Sequence, residues 1–136
     1  MKLLFVCKAN VGRSQIAEAF YEKYSLNPNV KSAGYAPEEW EGKNLDTAQH
    51  VKVCMDEEGI NVRKKISKKL NKEMADWADK IIVFDSKKQD WPAFLRESGR
   101  VEIWEIEDPR YSDLDAHRKI RDAIKGKVEI LLKEIK

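Results

Sequence analysis

The chain has 136 residues, 42% of them hydrophobic and 37% charged, the size of one domain (1–136) that buries a core without a metal or disulfide staple. Twenty-six Lys and Arg against 24 Asp and Glu leave a net charge of +2, too weak a basic bias for a nucleic-acid binder, and no run approaches the roughly 20 apolar residues of a membrane span. The apolar start Met1–Val6 stops at Cys7-Lys8 with no small-residue cleavage site behind it, so a cytoplasmic protein with neither nucleic-acid nor membrane partners is expected.

Lys2 to Val6 is rich enough in branched and aromatic residues for a buried strand. After a loop from Cys7 to Arg13, Ile16, Ala17, Phe20 and Tyr24 recur at helical spacing, and Asn27-Pro28-Asn29 breaks that helix. Val30 to Ala33 reads as a second strand ended by Gly34. Leu45, Ala48, Val51 and Met55 mark one face of the next helix, with Gly59 placed to terminate it. Leu70, Met74, Trp77 and Ala78 mark a shorter helix, with Ser67 or Asn71 available as its cap. Ile81 to Phe84 is the clearest buried strand. Asp90-Trp91-Pro92 reads as a helix start, Gly99 as its close, and Val101 to Ile106 as a fourth strand. The last helix carries His117, Ile120, Ile124, Val128, Leu131 and Ile135 on one stripe. Strands alternating with helices predict an α/β fold, a parallel sheet covered on both faces. Such sheets bind ligands at the carboxyl ends of their strands, which is where the loop beginning at Cys7 lies.

That loop reads Cys7-Lys8-Ala9-Asn10-Val11-Gly12-Arg13-Ser14. Its length lets successive backbone N–H groups face one hollow as an anion nest, and the helix after it adds unpaired donors and partial positive charge. Arg13 supplies a planar fork for two phosphate oxygens. Ala9 and Gly12 are expected to keep the wall thin, Asn10 tolerates a left-handed backbone, and the Lys8 charge favours anions nearby even if it faces outward. Cys7 sits at the mouth, where such an environment favours the nucleophilic thiolate, and Ser14 is placed to donate a hydroxyl hydrogen bond to the sulfur. A thiolate ringed by phosphate-binding donors suits attack on phosphorus. The plainer alternative is a small buried cysteine at a strand end.

These residues, with Ile16-Ala17-Glu18-Ala19-Phe20, Ser32-Ala33-Gly34, Trp40, Gly59-Ile60, Phe84-Asp85 and Asp108-Pro109 in the same order, resemble the low-molecular-weight protein-tyrosine-phosphatase family, which also includes the thioredoxin-coupled arsenate reductases. The resemblance implies a three-layer sandwich with a four-stranded parallel sheet. It implies a phosphate-binding loop from Lys8 to Ser14 with Cys7, Arg13 and Asp108 as catalytic residues, and a pocket walled by Trp40 and Tyr111. Asp108-Pro109, beyond the fourth strand, is placed to give a proton to a departing oxygen and to draw one from water afterwards. Locally the same dipeptide also reads as a simple turn, and Trp40 reads equally as ordinary partial burial.

Three departures from the family pattern matter. Arg110 stands where phosphotyrosine-directed members carry an aromatic, which favours a charged or smaller substrate. Gly12 replaces a second cysteine, so no local disulfide with Cys7 is available. Gln15 replaces a proline and is expected to affect helix entry more than chemistry. Cys54 reads as a core residue, and Asp85 to Asp90 contains no cysteine, so the arsenate reductases' redox cascade lacks its parts. His50 and His117 have no partners at metal-ligand spacing, and His117 reads as a core or boundary histidine; no metal and no cofactor are expected. Lys64-Lys65 and Lys68-Lys69 read as a solvated surface segment.

The expected function is a cysteine-dependent phosphomonoesterase working through phosphocysteine on a phosphorylated protein or small phosphate ester, with a monomer favoured. Arsenate reduction in the same oxyanion loop, and a non-hydrolytic phosphate-binding or phosphocysteine carrier domain, are the alternatives.

Overall fold

In the computed structural model, which describes residues 1–26 and 28–135, the strand β1 (Leu3–Cys7) is buried along its whole length. It lies inside a four-stranded parallel sheet of order β2-β1-β3-β4, with β2 at Val30–Gly34, β3 at Lys80–Val83 and β4 at Val101–Ile103. A strand buried on both faces must be apolar on both, and alternation then sends its side chains into two cores. Leu3, Phe5 and Cys7 join Ile16 and Phe20 of α1 (Arg13–Tyr24) and Ile124 and Val128 of α5 (Leu114–Ile135). Leu4 and Val6 join Leu70, Ala75 of α3 (Lys72–Trp77) and Leu95 of α4 (Ala93–Arg96). The chain leaves β1 for β2 on one side and later crosses to β3 on the other, so the switch point lies at the carboxyl end of β1.

Several boundaries differ from the sequence reading. The predicted helix through Leu45 is a 3-10 turn, Leu45–Thr47, followed by α2 (Gln49–Asp56). Asn44 accepts from the Asp46 N–H at 3.2 Å and the Thr47 hydroxyl donates to the Asn44 carbonyl at 2.9 Å, local bonds that compete with helix. Ala48, at φ −96° and ψ 82°, separates the two. Gly59 (φ 72°) turns the chain beyond α2, where the Ile60 N–H returns to the Met55 carbonyl at 3.0 Å. The helix read as starting at Asp90 begins only at Ala93, because Pro92 keeps Trp91 extended at ψ 148°; it ends at Arg96, short of Gly99. Asn71, not Ser67, caps α3 by accepting from the Met74 N–H at 2.8 Å. The fourth strand stops at Ile103; beyond it only Trp104 N–H to Val83 (2.9 Å) and Ile106 N–H to Phe84 (3.5 Å) keep the chain beside β3. Asn27, within the predicted break, lies outside the described residues, and α1 ends before it at Tyr24.

An ion-pair clasp joins the end of α2 to α5. Glu57 accepts from Arg118 (2.7 Å) and Arg121 (2.7 Å), and Arg121 also donates to the Cys54 carbonyl at 2.9 Å. The bonds from Arg118 and Arg121 hold the Glu57 carboxyl down to about 2, against an ordinary 4.5. A carboxyl lowered on folding stabilises in full above its unfolded value and loses that contribution as pH falls through its folded one. Unfolding followed between pH 4.5 and 2 should therefore be less pH-dependent in Glu57→Gln than in wild type; superimposable acid limbs would remove the clasp from the stability of this end.

Candidate active site

At the carboxyl edge of the sheet a cleft of about 600 Å³ is lined by Cys7, Ala9, Val11, Gly12 and Arg13 on its floor and by Trp40, His50, Asp108, Arg110, Tyr111 and His117 around it. Cys7 is the last residue of β1 and is almost fully buried, opening only to the cleft. Its sulfur lies 2.9 Å from Ser14 Oγ and accepts from the Asn10 N–H at 3.3 Å. Asn10 takes the left-handed backbone anticipated for it, φ 58°, which turns the loop under the sulfur. Gly12 precedes α1 without a side-chain cap. Among the described residues, the N–H groups of Ala9, Val11, Gly12, Arg13 and Ser14 meet no acceptor, so the loop and helix start present a row of open donors.

Arg13 is pinned from the segments just beyond β3 and β4: Nη1 donates to the carbonyls of Phe84 (2.9 Å) and Ile106 (3.1 Å), leaving Nη2 3.6 Å from Asp108 Oδ2. The guanidinium is thus held at the ends of β3 and of the segment after β4 with one edge facing the cleft. Asp108 is half exposed there, and its Oδ1 accepts from the Arg110 N–H at 2.9 Å. The turn and the cleft-facing carboxyl are therefore both present in one residue. The site as built can seat a tetrahedral oxyanion on positive donors between a sulfur and a carboxyl.

The loop is braced from behind by residues that the sequence reading had not tied to it. The segment read as solvated surface lies across its back: Ser67 Oγ donates to the Ala9 carbonyl (2.7 Å), Lys68 N–H to Asn10 Oδ1 (2.9 Å), and Lys65 pairs with Glu18 (3.0 Å). A Cβ on Gly12, which lines the cleft, would meet no protein atom within 4 Å. The close approach is at Gly34 instead, where a Cβ would stand 2.6 Å from the Lys8 carbonyl oxygen and 2.9 Å from Asn10 N. Buried Asp85 fixes the neighbouring strand ends by accepting from Tyr35 Oη (2.7 Å), the Trp91 indole (3.0 Å) and Lys87 N–H (3.0 Å); burial and this carboxylate push the Tyr35 phenol up.

Lys8 is exposed and outside the cleft lining, and the Asn10 and Ser14 side chains lie beneath the loop rather than in the cleft. Trp40, in a 3-10 turn (Glu38–Trp40), is half-buried at the rim. Tyr111 is a rim residue rather than a packed wall: it is 93% exposed, at φ 69°, with the Arg110 guanidinium 5.1 Å from its ring centroid. Arg110 also reaches Glu39 across the mouth at 3.5 Å. His117 is buried, with Nδ1 2.8 Å from the Asp113 carbonyl, and its ring centroid lies 5.0 Å from that of His50. That pairing across 67 positions has no local signal in the sequence. Among the described residues no three His, Cys, Asp or Glu side chains gather into a metal-binding group, and no helix is long and apolar enough to cross a membrane. Cys54 sits in the core on α2, its Sγ 3.3 Å from the Val51 carbonyl and its thiol pushed up to about 11 by burial.

The family model described as low molecular weight phosphotyrosine protein phosphatase matches residues 2–136. The chain is similar to a protein-arginine-phosphatase of Geobacillus stearothermophilus, 26% identical over 98% of this chain and 95% of the relative. It is also similar to arsenate reductase 1 of Staphylococcus epidermidis, 30% identical over 93% of this chain and 92% of that one. Among solved structures, a YwlE mutant from Bacillus subtilis superimposes with a TM-score of 0.85 at 27% identity, covering 99% of this chain and 98% of that one.

Proposed function

Because the chain belongs to the low molecular weight phosphotyrosine protein phosphatase family, we propose that Cys7, Arg13 and Asp108 hydrolyse a phosphomonoester through phosphocysteine, without metal or cofactor. The observation that carries this reading is the convergence on one cleft of the Cys7 sulfur, the open donors of the loop and the Arg13–Asp108 contact at 3.6 Å. The Cys7 sulfur supplies the electron pair for a new S–P bond as the ester P–O bond breaks, and protonated Asp108 gives its proton to the departing oxygen. Loop amides from Lys8 to Ser14 and the Arg13 fork hold the three equatorial oxygens. Water then forms a P–O bond, its proton passes to the Asp108 carboxylate, and the S–P bond breaks to release phosphate and the thiolate.

Substrate choice belongs to the rim. Arg110, tethered by Glu39 and Tyr111, places a cation where a bare phenyl ring would otherwise pack. This supports a phosphorylated protein or a small, charged phosphate ester as substrate. Arsenate reduction by an internal cascade would need a resolving thiol, and the only other cysteine is Cys54, core-buried with its thiol pushed up to about 11.

A leaving-group series of aryl phosphates separates the acid role from a turn. In Asp108→Asn, esters with poor leaving groups should slow by roughly 10²-fold or more, whereas those with good leaving groups should slow far less in the first step. Equal slowing across the series would sink the acid role while leaving the nucleophile untouched.

A further inference from the structure

Gln15 is wholly buried in the first turn of α1 and does not line the cleft. Its Nε2 faces three oxygens: the Asn10 carbonyl at 3.3 Å, Asn10 Oδ1 at 3.0 Å and the Ile66 carbonyl at 3.0 Å. Its Oε1 meets no donor among the described residues. Only one orientation of the amide is compatible with these neighbours, because turning it over would set an oxygen against three oxygens.

The consequence runs along a chain. Asn10 Oδ1 receives both Gln15 Nε2 and the Lys68 N–H, at 2.9 Å, so the other end of that amide is Nδ2. Asn10 Nδ2 spends its two hydrogens on Ser14 Oγ (2.8 Å) and Ser32 Oγ (3.0 Å). Having accepted from Asn10, the Ser14 hydroxyl has one hydrogen left, and Cys7 Sγ is 2.9 Å away to receive it. Were the Asn10 amide reversed, its oxygen would take the Ser14 proton and the sulfur would lose a donor. The direction of donation is set at the far end of the chain.

Resting on the reading of Cys7 as nucleophile, we propose that Gln15 is a positioning residue: together with the Lys68 N–H it fixes the sense of the Asn10–Ser14–Cys7 chain and keeps the Ser14 hydroxyl donating to the attacking sulfur.

The test is a double-mutant cycle. Gln15→Met keeps an unbranched side chain of similar length and removes the donors. In that variant kcat on an aryl phosphate should fall roughly tenfold, with KM and inhibition by inorganic phosphate unchanged. In a Ser14→Ala background the same substitution should change nothing further. The rate of Cys7 alkylation by iodoacetamide, read by mass spectrometry with buried Cys54 as internal reference, should follow the same pattern in all four proteins. Alkylation needs no hydrolysis, so a wild-type protein that is inert to phosphate esters yet shows that pattern would overturn the phosphatase mechanism and leave the Gln15 role standing. Gln15→Glu, of the same size, sets carboxylate oxygens against Asn10 and should be at least as slow as the Met variant. Equal losses with and without Ser14, a change in KM alone, or wild-type rates in both Gln15 variants would overturn the proposal.

Discussion

Turnover of an aryl phosphate is expected to fall by at least roughly 10³-fold in Cys7→Ser, while inorganic phosphate still binds. The two halves of this result come from different parts of the site. Binding rests on the open loop amides and on Arg13, whose Nη1 is tied to Phe84 and Ile106 and not to Cys7, so a hydroxyl in place of the thiol leaves the anion seat in place. Turnover rests on an electron pair that a neutral hydroxyl supplies poorly at this pH. Ser14 Oγ at 2.9 Å and the Asn10 N–H at 3.3 Å stand against the sulfur that supplies this pair. Measuring kcat together with phosphate affinity by calorimetry separates the two. Wild-type turnover in the variant would mean that the Cys7 thiol is not the required nucleophile. Cys54→Ala supplies the opposite control: its thiol faces the Val51 carbonyl inside the core, and removing it should leave turnover at the wild-type level.

What the sequence made legible was local. Cys7, Arg13 and Ser14 fall within eight residues of one strand–loop–helix unit, so their spacing, read together with the strand before and the helix after, put sulfur, guanidinium and hydroxyl on one loop. Asp108 was found through its place after the fourth strand, because parallel strands bring their carboxyl ends to one edge. The braces behind the loop were hidden because they act over long separations: Ser67 reaches Ala9 and Lys68 reaches Asn10 across 58 positions each, and Gln15 reaches Ile66 across 51. A run containing four lysines gives no hint that its backbone and one serine hold a catalytic loop. Element boundaries failed for a different reason. A 3-10 turn at Leu45–Thr47 followed by α2 preserves the apolar spacing of a continuous helix, so only the Asn44 and Thr47 side-chain bonds distinguish the two. The strand-like stretch from Val101 to Ile106 likewise could not reveal that regular pairing ends at Ile103.

Those long-range braces make Gly34→Ala the second large effect, and one with an internal contrast. Gly34 pairs with Cys7 across β1 and β2, and its own N–H and carbonyl bond Lys68 and Leu70 at 2.8 Å each. The residue is therefore held on two sides while the added Cβ would press on main-chain atoms: Lys8 O at 2.6 Å, Ala9 C at 2.8 Å and Asn10 N at 2.9 Å. No side chain can swing away to relieve such contacts, so the loop itself must move, at a cost of about 1–3 kcal/mol. For a chain of this length that lowers the melting temperature by about 3–10 °C. The same shift carries the Asn10 N–H away from the sulfur and disturbs the amides around the anion seat, so phosphate affinity should fall in step with stability. Gly12→Ala, in the same loop but facing open space, should leave the melting temperature unchanged. If both variants melt and bind phosphate alike, the contact between the end of β2 and the loop is not what sets the loop's shape. If only Gly34→Ala loses both, the second strand is as much a part of the anion site as the loop that lines it.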